Sequence, residues 1–244
     1  MILIGGVASG INTVAGGGSL ISFPYLTLAV GIPAQEANAT NSASLWPGSL
    51  AGGFAFRELL GKTKKYLMVL ALPTLAGSLL GADLFARSSS KTFSSVIPFL
   101  ILLASTLLVV QPSIKALARK HDRTVPLWVG IVIQLLVAVY GGYFGAGMGL
   151  MMLGSFALYM EGNIHELNAV KNLLGLIVNL VASIYFAFAG KVIWDAFAAL
   201  TLGSMVGGYA AARYSQRFNS ERLRLWIAAY GFAMTAYFFY RAFH

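Results

Sequence analysis

Apolar residues fall into long runs separated by short polar links, and clusters of glycine interrupt two of these runs. The first interruption lies in residues 10–24 (GINTVAGGGSLISFP), between the apolar pieces 1–14 and 20–30. Each piece is too short to cross a hydrocarbon core comfortably, which takes about 20 helical residues. Three consecutive glycines, each about 1 kcal/mol less favourable than alanine in a helix, predict that the helix breaks at this point.

The remaining apolar runs predict a set of membrane helices. A second glycine-rich break, at residues 141–149, precedes a short apolar piece, 150–160, which as a helix reaches only about half-way across a membrane. Full spans are expected at 38–56, 66–86, 93–110, 125–144, 172–189, 192–212 and 225–240. The pattern therefore predicts an all-α integral membrane protein in which two helices are broken.

The glycine and asparagine positions indicate an internal duplication. A shift of 131 residues superimposes Gly10 on Gly141, Gly16 on Gly147 and Asn41 on Asn172 without a gap, and a later shift of 126 superimposes Gly77 on Gly203 and Gly81 on Gly207. We therefore expect a first repeat at 1–110, a cytoplasmic linker at 111–124 and a second repeat at 125–244. Gly77 and Gly81 would form a Gly-xxx-Gly packing face.

Composition supports the membrane assignment and excludes several kinds of chemistry. The 244 residues are 58% hydrophobic and only 10% charged, against about 25% charged residues in a typical soluble domain. The chain contains no cysteine, so disulfides, cysteine-bound metals and thiol catalysis are excluded. No cleaved signal peptide is expected at the N-terminus. The net charge of +9 fits basic cytoplasmic loops better than binding to nucleic acid.

The distribution of lysine and arginine predicts that the second repeat is inverted relative to the first. The loop after the third element of the first half carries four of these residues and its counterpart carries one, whereas the next pair of loops carries two and four. Equivalent loops then lie on opposite membrane faces. Each half would contain a glycine-broken re-entrant or V-shaped helix pair and three transmembrane helices. A continuous kinked helix through the break would give an even number of elements in each half and would contradict this distribution of lysine and arginine.

This arrangement predicts a multi-pass protein of the plasma (inner) membrane with both termini outside. The loops expected in the cytoplasm hold 13 of the 17 lysine and arginine residues, as the positive-inside rule requires. These loops are 57–65, 111–124, 161–171 and 213–224.

Four short motifs resemble the sulfite exporter TauE/SafE family. They are GGGSLISFP at 16–24 and NATNS at 38–42, with weaker echoes GAGMG at 145–149 and NAVKN at 168–172. The likeness covers nearly the whole chain. It implies a secondary transporter, expected to be an exporter, of sulfur-containing anions such as sulfite or organosulfonates. The second copy departs from the first, with Met148 inside the glycine run and Ser155 in place of Pro24.

Broken helices suggest how a small anion could be bound. Unpaired N–H groups at a helix N-terminus carry roughly half a positive charge, and we expect Leu20 and Leu150 to begin two half-helices that converge near the midplane. The candidate substrate-binding residues are Asn12, Thr13, Gly16, Gly17, Gly18, Ser19, Asn41, Ser42, Gly147, Gly149, Lys171, Asn172 and Asn179. Each polar candidate could instead form hydrogen bonds between helices. For Asn12, Asn41 and Asn172 we favour a role in the site.

Several other polar residues have two interpretations. Lys171 could bind the anion or could be an interface lysine that snorkels, and Gln134 could face the pathway or pack between helices. Asp83 and Asp195 could couple protons, although a position at a helix end is favoured. We expect His165 and His121 to lie in solvated cytoplasmic loops.

Two classes of membrane function stay open at this point. The first is alternating access around a midplane anion site, and the second is a channel-like pore for a small anion or neutral solute. An enzyme is disfavoured because no nucleophile–base pair or metal-spaced cluster appears within the spans, and the glycine run lacks a P-loop lysine. The expected partners are the anion and the lipid bilayer, with a homodimer as a further option. No cofactor is expected.

Overall fold

The computed structural model describes residues 1–14, 16–56, 61–120, 125–214 and 220–243. The described residues form ten α-helices and no strand. The helices are α1 (Ile2–Val14), α2 (Ser19–Pro24), α3 (Ala34–Phe56), α4 (Lys64–Arg87), α5 (Ser90–Lys120), α6 (Leu127–Tyr143), α7 (Met148–Tyr159), α8 (Ile164–Phe188), α9 (Trp194–Arg213) and α10 (Ser220–Phe243). A π-helical turn, Tyr25–Ala29, extends α2, and a 3₁₀ turn, Gly61–Thr63, precedes α4.

Both predicted helix breaks are confirmed. The chain leaves helical geometry between α1 and α2 and again between α6 and α7. Gly16 and Gly17 have φ angles of 76° and 91°, and Gly145 and Gly147 have φ angles of 80° and 77°. Residues with a Cβ atom rarely adopt such angles, so the glycines allow the chain to turn at these two places.

The chain reverses direction at each break. The amino group of Met1 approaches the hydroxyl of Tyr25 at 3.4 Å, so the start of α1 lies beside the π-helical turn that follows α2. The N–H of Val125 donates to the carbonyl of Leu158 at 3.0 Å, so the start of α6 lies beside the end of α7. Each broken pair of helices is therefore a hairpin.

The interhelical contacts define two ends of the bundle. At one end, the Gln35 side chain accepts from Lys191 Nζ at 3.2 Å and donates to the carbonyl of Ser88 at 2.9 Å. At the other end, the N–H of Glu161 approaches the Tyr66 hydroxyl at 3.4 Å. We call these the Gln35 end and the Tyr66 end. Within the part of the chain that the structure describes, three segments are long and apolar enough to cross a membrane by length and composition: Lys64–Arg87, Ser90–Val110 and His165–Phe188.

Helices from the two halves of the sequence pack against each other in matching pairs. Helix α1 packs on α9 and α6 packs on α4, while α3 packs on α8 and α5 on α10. A Cβ atom added to Gly81 would lie 2.0 Å from the carbonyl oxygen of Val139, and one added to Gly207 would lie 2.0 Å from that of Gly6. The predicted Gly-xxx-Gly face is confirmed as the surface on which α4 meets α6.

Several predicted helix bounds were too narrow. Helix α5 continues to Lys120 through residues 111–120, which the sequence assigned to a polar linker. Helix α8 begins at Ile164 instead of 172, because Asn163 and Glu166 form a reciprocal capping box. His165 therefore lies in the first turn of a helix, and its assignment to a loop was wrong. His121 and the loop residues 57–60, 121–124 and 215–219 lie outside the described residues. The division into two repeats stays a prediction.

Candidate functional site

The two helix breaks lie against each other inside the bundle. A Cβ atom added to Gly16 would lie 3.1 Å from the backbone nitrogen of Leu150, and one added to Gly149 would lie 3.5 Å from the Cα of Gly16. All three residues are buried. We call the contact between Gly16, Gly149 and Leu150 the break junction. The backbone angle of Gly16 favours glycine at that position, and the absence of a side chain at Gly149 leaves room for the two chains to approach closely.

Lys171 brings a positive charge to the break junction. Its side chain is only 3% exposed, and its ammonium donates to the carbonyls of Asn12 at 3.0 Å and Thr13 at 2.9 Å. These carbonyls end α1, where the helix dipole favours a cation. The aliphatic stem of Lys171 packs on Gly149, where an added Cβ would lie 3.2 Å from Lys171 Cδ. A snorkelling lysine would reach an interface, whereas this one is buried between the two hairpins.

Asn38 makes the corresponding contact at the second break. Its side-chain nitrogen donates to the carbonyl of Tyr143, the last residue of α6, at 3.1 Å. Tyr143 is 131 positions after Asn12, which is the shift that relates the two halves. Each broken helix therefore ends on a carbonyl that accepts a hydrogen bond from a helix of the other half. The sequence analysis did not single out Asn38; its place at the start of a polar run was the only signal.

Two buried asparagines present hydrogen-bond donors to the interior. Asn41 is 1% exposed and Asn172 is 4% exposed. The side-chain oxygen of Asn41 accepts from the hydroxyl of Ser22 on α2. The Nδ2 atoms of both asparagines lack a hydrogen-bond partner among the described residues. A buried donor without a partner costs about 1–3 kcal/mol, so two at equivalent positions call for an explanation.

The structure places most of the other predicted site residues in the interior, with varied roles. Asn12 is half-buried and contributes its carbonyl, while Thr13, Ser19, Ser42, Gly17, Gly147 and Asn179 are buried. Gly18 serves packing, because an added Cβ would lie 1.8 Å from the carbonyl oxygen of Ala8. Ser22, which the sequence analysis did not single out, joins α2 to Asn41.

Three further candidates lie away from the break junction. Gln134 is fully buried and donates to the hydroxyl of Thr74 at 2.8 Å, so it connects α6 to α4. Asp83 forms an ion pair with Arg87 at 2.7 Å near the end of α4, which is the favoured helix-end role. Asp195 is exposed in the first turn of α9.

Three buried side chains of the candidate site are hydrogen-bond donors. The Lys171 ammonium and the amide groups of Asn41 and Asn172 can all donate, and the ammonium adds a positive charge. Such a group suits an anion with several oxygen acceptors. Buried donors interact more strongly with an anion than exposed ones, because less water competes for the same oxygens.

Comparison with known proteins gives one family along almost the entire chain. The sequence model of the family described as "Sulfite exporter TauE/SafE" matches residues 1–238, which confirms the resemblance seen in the motifs. The chain is 26% identical to a "Probable membrane transporter protein" of Haemophilus influenzae over 97% of this chain and 92% of that protein. It is 25% identical to "Probable membrane transporter protein YfcA" of Escherichia coli K12 over 96% and 86% of the two chains. No solved structure matches.

Proposed function

Because this chain belongs to the sulfite exporter TauE/SafE family, which is a family of membrane transporters, we propose that it exports small sulfur oxyanions, such as sulfite or organosulfonates. The proposed site is the break junction together with Lys171, Asn41 and Asn172. The observation that carries the proposal is the pair of buried Asn amides whose Nδ2 atoms lack partners among the described residues, together with the buried Lys171, which directly precedes Asn172 on α8.

We further propose that the two halves are inverted repeats and that each hairpin is re-entrant. The α1–α2 hairpin has its termini beside each other, as does the α6–α7 hairpin, and the two tips meet at Gly16 and Gly149. The exchange of partners between halves, α1 with α9 and α6 with α4, supports a two-fold relation. The distribution of lysine and arginine supports an orientation in a plasma membrane with the Tyr66 end in the cytoplasm and both termini outside.

The cross-half contacts suggest how an anion could change the conformation. An oxyanion is a stronger partner for an ammonium than a neutral carbonyl is. An anion that binds Lys171 would therefore weaken the hold of α8 on the end of α1. The first hairpin could then move relative to the second half, which is the kind of rearrangement that alternating access requires. The ligand shifts this equilibrium only as far as it binds the two states differently.

Counterflow in proteoliposomes tests the proposed function. Purified protein is reconstituted in phosphatidylcholine vesicles loaded with unlabelled sulfite, and ³⁵S-sulfite is added outside at tracer concentration. A carrier should accumulate label transiently and should saturate as sulfite is raised. Protein-free vesicles and vesicles containing Lys171→Met protein serve as controls. A channel-like pore, the alternative function, should give neither counterflow nor saturation.

A binding screen would identify the transported anion. Because a ligand that binds the native state raises the melting temperature by mass action, the purified protein is heated with sulfite, sulfate, thiosulfate, sulfoacetate, taurine and isethionate. We expect the anions that raise the melting temperature to be those that support counterflow. If none of these solutes stabilises the protein and none of them supports counterflow, the proposed substrate class is refuted.

A further inference from the structure

A cavity with polar residues in its lining lies at the Gln35 end of the bundle, away from the break junction. It has a volume of about 470 Å³ and is bounded by the π-helical turn, the start of α5 and the end of α10. The residues that matter for its chemistry are Thr27, Gly31, Ser94, Phe238 and Arg241. Arg241 is the one charged residue among the described lining residues, and no acidic residue is among them.

The chemistry of this cavity favours an oxyanion. A guanidinium presents several N–H donors in one plane and matches the oxygens of a sulfonate, sulfite or phosphate group. Ser94 also lines the cavity, and a serine hydroxyl can donate as well. The Thr27 hydroxyl already donates to the carbonyls of Phe23 and Pro24, so it shapes the wall of the cavity.

A row of three aromatic rings in contact runs from this cavity to the second helix break. Phe238 lines the cavity and stacks on Phe23, with ring centroids 5.8 Å apart. Phe23 in turn packs edge-to-face on Phe144, at 5.4 Å. Phe144 directly follows α6 in the second break, and all three rings are buried. Ser22, next to Phe23, is bonded to Asn41 of the proposed anion site.

We propose that this cavity is the outward vestibule of the transport pathway, in which Arg241 binds the exported oxyanion, and that the Phe238 ring closes it from the break junction. The inference rests on the proposed function for its direction, because the Gln35 end is then the external end. The vestibule and the site at the break junction are two positions in series. The Phe238–Phe23–Phe144 stack is the barrier between them.

The charge of the vestibule can be tested independently of transport. Because the chain contains no cysteine, Ser94→Cys introduces a single thiol on the cavity lining. Its rate of modification in phosphatidylcholine nanodiscs is compared for an anionic, sulfonate-bearing methanethiosulfonate and a cationic, ammonium-bearing one. We expect the anionic reagent to be favoured, and Arg241→Gln to lower the anionic-to-cationic rate ratio about tenfold.

Ala189→Cys provides the matched control for this measurement. Ala189 is exposed at the same end of the bundle and is not among the described residues that line the cavity. Its rate ratio should not change with Arg241→Gln. If the ratio at Ser94→Cys is also unchanged, Arg241 does not set the potential of the cavity and the proposal is refuted. That result would leave the counterflow test untouched.

A protection experiment distinguishes a free anion from a lipid phosphate, which has the same chemistry. Sulfoacetate is used as the protecting solute, because sulfite itself would consume the thiosulfonate reagent. If sulfoacetate slows the modification of Ser94→Cys by the methanethiosulfonate in phosphatidylcholine nanodiscs, and Arg241→Gln abolishes this protection, the result supports a solute vestibule. If the modification of Ser94→Cys is slowed only when phosphatidylglycerol is included in the nanodiscs, and sulfoacetate has no effect, the cavity is a lipid site and the proposal is overturned.

The aromatic barrier is tested with a thiol behind it. Ser22→Cys should resist an impermeant reagent added to intact cells, and Phe238→Ala should make it reactive. Phe239→Ala is the matched control, because this substitution removes an equivalent ring that packs on Phe99 instead of Phe23. Reactivity of Ser22→Cys without any ring substitution, or equal exposure by both substitutions, would show that Phe238 does not close the vestibule.

Discussion

The ammonium of Lys171 lies 2.9 Å from the main-chain oxygen of Thr13, at the end of the first broken helix. The two residues are 158 positions apart and belong to different halves of the chain. The contact joins a buried cation to the negative end of a helix dipole. It also places the cation beside Gly149, at the point where the two hairpin tips meet.

Lys171→Met should abolish most transport. The substitution keeps an unbranched apolar stem and removes the positive charge, so it deletes the proposed contact with the anion. Hydrogen bonds to charged groups contribute about 1.5–3 kcal/mol, which corresponds to a loss of about ten- to hundredfold in counterflow rate at low sulfite concentration. The measurement is ³⁵S-sulfite counterflow at equal amounts of reconstituted protein.

Lys191→Met is the matched control for Lys171→Met. Lys191 is half-buried at the Gln35 end, and its ammonium contacts Gln35. We expect this variant to retain sulfite counterflow within about twofold, because an ion pair or hydrogen bond near the surface contributes little. Equal loss in both variants would indicate a general effect of removing charge and would contradict a specific role for Lys171.

Asn172→Ala should weaken anion binding without destabilising the protein. The Nδ2 atom of Asn172 has no hydrogen-bond partner among the described residues, so its removal breaks no such bond there. We expect the melting temperature without anion to stay near that of the wild type, while the increase caused by a bound anion falls sharply. A thermal-shift titration with the anion that stabilises the wild type provides both values.

Asn168→Ala separates the site role of Asn172 from interhelical packing. Asn168 lies one turn earlier on α8, and its buried atom without a partner among the described residues is Oδ1, an acceptor. An acceptor cannot serve an anion, so this variant should keep the full anion-induced shift. If Asn172→Ala instead lowers the amount of folded protein, the packing interpretation is favoured. Asn41→Ala should also weaken binding, but it removes the hydrogen bond from Ser22 to Asn41 as well.

Local sequence signals were sufficient to predict the helices and their two interruptions. Glycine clusters reveal a break because their effect on helix propensity acts at the residues themselves. Helix bounds were less accurate where caps decided them, as at Asn163, or where polar residues stayed helical, as in residues 111–120. Propensity is a weak guide in such segments, because the surrounding structure overrides it.

The cross-half contacts were beyond what the sequence could predict. Nothing local pairs Asn38 with Tyr143 or Lys171 with Thr13, because these contacts depend on how the two hairpins pack. The repeat identified equivalent residues, yet the equivalent contacts use different chemistry: an amide at one break and an ammonium at the other. A duplication predicts where a contact should occur and does not predict which side chain makes it.

Asn38→Ala should destabilise the second break. Its amide is the donor to the carbonyl of Tyr143 at the end of α6, so the substitution leaves that carbonyl without this bond. We expect unfolding free energy to fall by about 1–3 kcal/mol, measured by thermal or denaturant unfolding in detergent. Asn38→Asp should cost at least as much, because an ionised carboxylate lacks a donor. Wild-type stability in both variants would contradict a capping role.

Gly81→Ala and Gly207→Ala should destabilise the protein by similar amounts, because the two residues occupy equivalent positions in the proposed repeats. In each case the new Cβ would lie 2.0 Å from a backbone oxygen of the facing helix, Val139 or Gly6. The backbone oxygen cannot rotate away as a side chain can, so the two helices must separate, and overpacking of this kind costs about 1–3 kcal/mol.

Gly154→Ala is the control for both variants. Gly154 lies within α7 with nothing within 4 Å of an added Cβ, so this variant should be more stable by about 0.5–1 kcal/mol because alanine has the higher helix propensity. Unfolding of the three variants in the same detergent gives the comparison. A large cost at one of the two positions and none at the other would show that the α4–α6 and α9–α1 contacts are not energetically equivalent, which would count against a two-fold relation between the halves.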